Sequence, residues 1–389
     1  MRSSPLSVIR SLLSTFHGIK LLPPKKRDVV IFDHELQDEI LILLGSNWTS
    51  STFDSSYKKT IYLLPLIKGL ARLSVHRSPK SLTYYYFVEY IRMSTPRAIL
   101  TNQHYHEVIY SARTEISSFL NCRVIVFQRS VMDRNPAFSG LAKGDAVFAL
   151  TQKYADKWKR VSPETKVSAV GSLSGKRLIR PEDFAKENNV LYISQWKSYD
   201  PRNSKPRYQE FYRLERNHLQ ELMEAVTCMG VKFEILGRSN SIGEARFYQS
   251  ILGEGSWGFR SRESHESTYL SISRCSIVVS PGSSLGLESL ASKQKTMFLV
   301  DDSMDETLVL RHGHPSTRTL AYQSQIAGLG MSEVVSLRVS EKENWIDKLS
   351  NLKSMDTGDF AKIAEELLGK STSTSTHEDI SSMVAQLLV

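Results

Sequence analysis

The clearest pattern of apolar and polar positions in the chain lies between Ile277 and Val300. A β-branched run from Ile277 to Val279 stops at Pro281 and Gly282, and a helical stripe of leucines and a second apolar run follow it. This order predicts a strand, a loop, a helix and a parallel strand. A loop in that position lies at the carboxyl edge of the sheet, where α/β folds bind their ligands.

The loop at 281–284, which we call the serine loop, is small and rich in hydroxyl groups. Gly282 allows a ligand to approach the backbone, Ser283 or Ser284 can cap the helix, and the amides at the helix start suit a phosphate. Glu288 lies four residues from Ser284, whereas a capping box needs three, so we expect its carboxylate to accept hydrogen bonds, for example from ribose. The alternative is an ordinary capped helix with a surface glutamate.

Five apolar runs that alternate with helical patterns come earlier in the chain. They lie at 28–33, 96–104, 122–129, 146–150 and 166–170. This alternation predicts a parallel sheet covered on both faces by helices.

Polar residues follow the first three of these runs. The first run ends in Asp33, His34 and Glu35, which lie at the functional edge of a doubly wound sheet and are candidates for a general base. The alternative is that they cap the next helix. The second and third runs end in polar residues that include His104, Gln128 and Arg129.

The pattern restarts after a polar stretch at 173–188, which reads as a linker. A strand from Asn189 ends in Ser194 and Gln195. Further on, Arg260 and Arg262 are closely spaced, and guanidinium groups can form paired hydrogen bonds with a phosphate or carboxylate. The second half therefore predicts another α/β domain with polar groups at its strand ends.

Composition narrows the class of protein. The 389 residues are 41% hydrophobic and 23% charged, as in soluble globular proteins, and the net charge of +9 favours an acidic partner. We expect no nucleic-acid partner, because no basic block is interleaved with aromatic residues. The three cysteines are far apart and predict reduced thiols in a cytoplasmic protein without a metal or redox motif.

The first residues of the chain form a basic amphipathic pattern. Apolar residues recur at helical spacing, and no acidic residue precedes Asp28. A helix of this kind can lie peripherally on the anionic inner face of the plasma membrane. The alternative is a helix packed on the domain. No apolar run reaches membrane-spanning length, and we expect no cleavable signal.

Several motifs together resemble the bacterial surface carbohydrate biosynthesis proteins, which are similar to GT-B glycosyltransferases. The strongest is Ser-Ser-Leu-Gly-Leu-Glu-Ser-Leu-Ala at 283–291, similar to the family's Ser-Thr-Leu-Gly-Tyr-Glu-Ser-Leu-Ala, followed by Lys295. Weaker similarities lie at 26–33, 191–196 and 259–264, with Tyr269. The chain departs from the family at Leu287 and at Gln128-Arg-Ser130, where the family has Gln-Asn-Gly, so the acceptor is in question.

The resemblance implies an α/β fold of two Rossmann-like doubly wound domains that face each other across a cleft, the GT-B type. The implied segments are a basic amphipathic N-terminal segment (1–24), an N-terminal acceptor domain (25–172), a linker (173–188), a C-terminal nucleotide-sugar domain (189–352) and C-terminal helices (353–389).

The resemblance also implies roles for the candidate residues. The catalytic candidates are Asp33 and Glu35; the donor-binding candidates are Ser194, Gln195, Arg260, Arg262, Gly282, Ser283, Ser284 and Glu288; the acceptor-binding candidates are His34, His104, Gln128 and Arg129. No metal and no cofactor is expected, because helix-start amides and arginines would neutralise the leaving phosphate.

The expected partners are a nucleotide sugar and a glycan or glycolipid acceptor of capsule or lipopolysaccharide synthesis. Similarity to bacterial sialic acid and 3-deoxy-octulosonic acid transferases favours a CMP-activated acidic sugar, while a UDP sugar remains open. The alternatives are a sugar-nucleotide 2-epimerase, a non-catalytic scaffold of a polysaccharide assembly complex and, on net charge alone, a nucleic-acid-binding protein.

Overall fold

The structure is a computed structural model of the 389-residue chain. It describes residues 18–33, 37–55, 60–76, 80–102, 106–128, 144–179, 181–196, 213–238, 242–255, 257–281, 283–300, 333–369 and 376–389.

Strands and helices alternate along both halves of the chain. The strands are β1 Ile19–Lys20, β2 Val29–Phe32, β3 Ser50–Phe53, β4 Ile61–Tyr62, β5 Ala98–Thr101, β6 Arg123–Phe127, β7 Ala146–Ala149, β8 Lys166–Ala169, β9 Glu187–Ile193, β10 Lys232–Leu236, β11 Trp257–Arg260, β12 Cys275–Ser280, β13 Thr296–Val300 and β14 Ser336–Arg338. The α-helices are α1 Gln37–Leu44, α2 Leu63–His76, α3 Leu82–Ser94, α4 Glu107–Ser117, α5 Gln152–Val161, α6 Leu173–Leu178, α7 Arg213–Cys228, α8 Ile242–Leu252, α9 His265–Arg274, α10 Ser284–Ala291, α11 Trp345–Ser354, α12 Thr357–Leu368 and α13 His377–Leu388.

The first large sheet has six parallel strands in the order β3-β2-β5-β6-β7-β8. Chain order reverses between β2 and β5, because β3 is added on one side of β2 and all later strands on the other. A reversal of this kind is the switch point at which doubly wound sheets bind ligands.

The second large sheet also has six parallel strands, in the order β11-β10-β9-β12-β13-β14. Counted from β9, this is the 3-2-1-4-5-6 order of the Rossmann fold. Its switch point lies between β9 and β12, whose residues Tyr192 and Val279 are level with each other.

The central strands are buried on both faces, which explains their continuous apolar sequences. All four residues of β2, β5 and β7 are buried, as are the last four of β6. Aromatic residues of α3 complete the first core, where the rings of Phe53 and Phe87 are 4.8 Å apart. The predicted α/β class of two doubly wound sheets is confirmed.

The chain forms two compact units. One comprises 1–129, 135–170 and 375–389, and the other 130–134 and 171–374. The C-terminal helix α13 belongs to the first unit, where the Ser381 hydroxyl donates to the carbonyl of Leu43 at 2.7 Å. No helix among the described residues is long and apolar enough to cross a membrane.

Candidate functional site

The serine loop lies at the switch point of the second sheet. It follows β12, while Ser194 and Gln195 follow the neighbouring parallel strand β9. Because the carboxyl ends of β9 and β12 are adjacent, the sheet brings these two predicted groups to one edge.

Two serine side chains shape the loop. The Ser280 hydroxyl accepts a hydrogen bond from the amide of Ser283 at 3.0 Å, and the Ser283 hydroxyl accepts from the amide of Leu285 at 3.2 Å. Ser283 is therefore the N-cap of α10, and Ser284 is the first residue of the helix. Both serines are partly exposed, and the positive end of α10 lies at this edge. Gly282 lies outside the described residues.

Gly286 lets α10 pack closely on β12. A Cβ atom at this position would lie 2.5 Å from the Cβ of Ser280 and 3.2 Å from the Phe298 ring. Close packing of the first helical turn on its strand is the role of the third glycine in dinucleotide-binding loops. The glycine of the family motif thus holds the helix start at the sheet edge.

Glu288 is buried, with 7% of its surface exposed, so the alternative of a surface glutamate is wrong. Its Oε2 accepts a hydrogen bond from the Tyr269 hydroxyl at 2.7 Å. The backbone of α6 packs closely against it, since a Cβ atom on Gly175 would lie 3.2 Å from the Cβ of Glu288. Two residues that the sequence resemblance singled out, Tyr269 and Glu288, are therefore direct partners.

Ser194 is buried in a polar network that the sequence did not predict. Its hydroxyl donates to Glu244 at 2.5 Å and accepts from the Tyr248 hydroxyl at 2.7 Å and from the amide of Trp196 at 3.0 Å. Glu244 also accepts from the amide of Arg238 at 2.7 Å, which ties the loops after β9 and β10 together. Spacing gave no signal for Glu244 and Tyr248, because they lie about fifty residues further along, on α8. Gln195 is partly exposed beside this network.

The two predicted phosphate-binding arginines lie in different surroundings. The Arg260 guanidinium is paired with Glu187 and Glu234. Glu187 is the first residue of β9, so the guanidinium points back from the carboxyl edge of the sheet. Arg262 is partly exposed in the loop after β11.

At the first sheet, Asp33 follows β2 with a positive φ of 67°, a conformation that is uncommon for residues other than glycine. Its Oδ1 accepts hydrogen bonds from the Ser55 amide at 3.0 Å and the Ser55 hydroxyl at 2.8 Å. Gln128 is buried, and its Oε1 accepts from the amide of Leu150 at 3.3 Å. The other predictions at this edge, His34, Glu35, His104 and Arg129, lie outside the described residues.

His106 lies at the same edge and was not predicted. Its ring contacts that of Phe32, with centroids 4.8 Å apart. Burial lowers the pKa of His106 below its ordinary value, although the nearby carboxylate of Asp33 acts in the opposite direction. The imidazole is therefore neutral near pH 7, the form that can accept a proton.

No group of three or more His, Cys, Asp or Glu residues within the described part of the chain could hold a metal ion. The expectation of metal-independent chemistry stays a prediction.

A sequence profile for a family described as "putative O-antigen biosynthesis protein" matches residues 126–320, half of the chain. The chain belongs to this family. The match includes the serine loop, the Ser194 network and β9 to β13. The predicted relation to surface carbohydrate biosynthesis is confirmed. A sequence search of curated proteins finds no match to this chain.

Solved structures of similar fold cover almost the whole chain. Arabidopsis thaliana UGT89C1 in complex with UDP-L-rhamnose is 12% identical with a TM-score of 0.53, covering 94% of this chain and 100% of its own. The UDP-GlcNAc 2-epimerase of Neisseria meningitidis bound to UDP-GlcNAc is 13% identical with a TM-score of 0.52, covering 95% and 99%. Sucrose-phosphate synthase of Thermosynechococcus elongatus is 12% identical with a TM-score of 0.52, covering 94% and 98%. At such identities the likeness shows the fold alone, the GT-B type with two Rossmann-like domains.

Proposed function

We propose that this O-antigen biosynthesis protein is a metal-independent glycosyltransferase that moves a sugar from a nucleotide donor to a bacterial surface glycan or glycolipid. The observation that carries the proposal is the position of the serine loop. The capped N-terminus of α10 lies at the switch point of a 3-2-1-4-5-6 sheet, the place where such sheets bind nucleotides.

The donor phosphate would bind to the helix start. Ser283 and Ser284 present hydroxyl groups there, Gly282 would allow close approach, and the helix dipole favours negative charge. Arg262 would add a cation as the phosphate leaves. Arg260 would do so only if its pairs with Glu187 and Glu234 open.

The base and ribose of the donor would bind beside the phosphate. Ser194 and Gln195 lie at the end of the adjacent strand, and Glu288 lies one helical turn below Ser284. The Tyr269 hydroxyl donates to one carboxylate oxygen of Glu288, and this bond would orient the carboxylate for a contact with ribose.

The acceptor would bind to the first domain, where Asp33 or Glu35 would remove a proton from its hydroxyl group. The bonds from Ser55 to Oδ1 of Asp33 orient this carboxylate, so the proton would go to its other oxygen. His34, His104, Gln128 and Arg129 would position the acceptor. The protein would work in the cytoplasm, at the inner face of the plasma membrane.

We propose a CMP-activated acidic sugar as the donor, on the resemblance of the serine-loop motif. A UDP-sugar transferase and a 2-epimerase are second candidates, because the structurally similar proteins include a UDP-L-rhamnose complex and a UDP-GlcNAc 2-epimerase. An epimerase would turn over its sugar nucleotide without an acceptor, whereas a transferase would need one. A non-catalytic scaffold would bind glycan or nucleotide and turn over neither.

Thermal unfolding with a nucleotide panel tests the proposal, because a ligand of the folded state raises its apparent stability. The panel is CMP, CDP, UMP, UDP and GDP, each with and without magnesium. We expect CMP to raise Tm without magnesium. A rise with UDP instead would favour the UDP-sugar transferase or the epimerase, and no rise with any nucleotide would favour the scaffold.

A further inference from the structure

The outward face of α2 exposes three large apolar side chains. Its inner face packs on α3, where a Cβ atom on Gly69 would lie 2.9 Å from the backbone nitrogen of Tyr86. The opposite face presents Leu64, Ile67 and Val75, which are 37%, 52% and 74% exposed. A helix on the surface of a soluble domain carries polar and charged residues on that face. This face suits a partner that accepts apolar side chains.

A second exposed apolar segment lies beside the start of α2. Ile19, Leu21 and Leu22 are 50%, 73% and 78% exposed. The parallel pair β1–β4, with Ile19 opposite Ile61, holds this segment next to the residues that lead into α2. We call the exposed residues of the two segments, Ile19, Leu21, Leu22, Leu64, Ile67 and Val75, the α2 patch.

The two sequence segments that contain the α2 patch carry basic residues and no acidic ones. On the inner side of α2, Arg72 pairs with Glu89 and Glu115 of the neighbouring helices. Residues 1–27 and 55–81 contain 12 of the 50 Lys and Arg residues and none of the 41 Asp and Glu residues. The rest of the chain then has 38 basic and 41 acidic residues, so its net charge is −3 and these two segments supply the whole excess. Lys20, Lys25, Lys26 and Lys68 are exposed at or near the patch.

We propose that the α2 patch and its lysines bind the surface of an anionic phospholipid bilayer. Exposed apolar side chains flanked by exposed lysines, in segments that contain no acidic residue, match a membrane interface. There the apolar side chains enter the acyl boundary and the cations meet anionic headgroups. A protein partner would need carboxylates on its own surface to match the lysines around the α2 patch, whereas an anionic bilayer supplies negative charge over its whole surface. The surface lies on the domain proposed to bind the acceptor, and it would hold that domain against a lipid-linked substrate.

Vesicle sedimentation tests the proposal with the full chain. Wild type is mixed with vesicles of phosphatidylcholine alone or of three parts phosphatidylcholine to one part phosphatidylglycerol. We expect binding at least about tenfold tighter with phosphatidylglycerol, weakening as salt is added. The double variant Leu64→Glu/Ile67→Glu should bind the anionic vesicles at least about tenfold more weakly than wild type.

The matched control is Leu41→Glu/Ile42→Glu, since these α1 residues are 37% and 46% exposed and lie outside the α2 patch. It should bind like wild type. A charge variant, Lys25→Glu/Lys26→Glu, should also bind anionic vesicles more weakly. It keeps the proposal testable if Leu64→Glu/Ile67→Glu fails to fold.

The proposal would be overturned if the α2 variant and the lysine variant both bound anionic vesicles as tightly as wild type. It would also be overturned if the control variant lost as much binding as they do, or if wild type did not bind anionic vesicles. If wild type did not bind vesicles but formed a dimer, and only the α2 variant were monomeric, the α2 patch would instead be an interface with a second copy of the chain. Nucleotide binding by the same variants is measured in parallel. It should be unchanged, so failure here is distinguishable from failure of the proposed transferase function.

Discussion

At the residue scale, Glu215 is a buried carboxyl group in the core of the second domain. It is 1% exposed on α7, and its Oε1 has no hydrogen-bond partner among the described residues. Burial raises the pKa of Glu215 to about 7. The folded protein therefore binds a proton that the unfolded chain releases at lower pH.

This shift predicts that the free energy of unfolding falls as pH rises from about 4.5 to about 7, because ionisation is more costly in the folded state. Glu215→Gln should remove this slope and raise Tm at pH 8. Denaturant unfolding at several pH values measures it, with exposed Glu224→Gln on the same helix as the control. An unchanged slope in Glu215→Gln would show that Glu215 is not the titrating group.

Glu288 gives a second prediction at this scale, because one substitution should affect nucleotide binding and the stability of the fold differently. Glu288→Gln keeps the shape and an acceptor for Tyr269, so Tm should fall by only a few degrees. Nucleotide affinity should fall about tenfold, the effect of about 1.4 kcal/mol, if the carboxylate binds ribose. Tyr269→Phe removes only the hydrogen bond, and should weaken binding less. Equal affinity in wild type and Glu288→Gln would remove Glu288 from the site.

At the element scale, the contact of α10 with β12 requires glycine at 286. Gly286→Ala should lower stability by about 1–3 kcal/mol, the typical effect of overpacking, because the new methyl group would meet the side chain of Ser280. Gly255→Ala is the control, since no atom lies within 4 Å of a Cβ at that position. Denaturant midpoints compare the two variants. Equal midpoints would mean that α10 moves freely away from the strand.

The elements also show what the sequence could predict. The central strands were predictable because each is a continuous apolar run buried on both faces. β3, with sequence Ser-Ser-Thr-Phe, was missed because an edge strand exposes one side and needs few apolar residues. Pro65 does not interrupt α2, which begins at Leu63, because a proline in the first turn lacks only an amide that has no helical partner.

The site was predictable only where its residues are close in sequence. Ser283 and Glu288 share one strand–loop–helix unit, whereas Glu244 reaches Ser194 only through tertiary packing. The motif residue Lys295 proved structural, because its ammonium group donates to the carbonyls of Lys353 and Met355 at the end of α11. A sequence motif thus combines residues that could bind a ligand with residues that hold the domain together.

At the scale of the whole molecule, the two domains have different tasks in this account. The second domain carries the Rossmann order and the serine loop, and the first carries the α2 patch and the candidate base. The net excess of positive charge comes from two segments of the first domain, 1–27 and 55–81. Raising salt should therefore weaken vesicle binding and leave Tm in the absence of vesicles nearly unchanged. Sedimentation and thermal unfolding across one salt series measure both.

The most direct test of the central claim is a calorimetric titration of CMP into wild type, Ser283→Ala and Thr376→Ala. Ser283 and Thr376 are both helix N-caps, and each substitution should cost about 1 kcal/mol of stability. Only Ser283 lies at the proposed donor site. We predict equal affinity for wild type and Thr376→Ala, and about tenfold weaker binding for Ser283→Ala. Equal affinity in all three proteins would contradict a donor site at the serine loop, and no binding of CMP to any of them would contradict a CMP-activated donor.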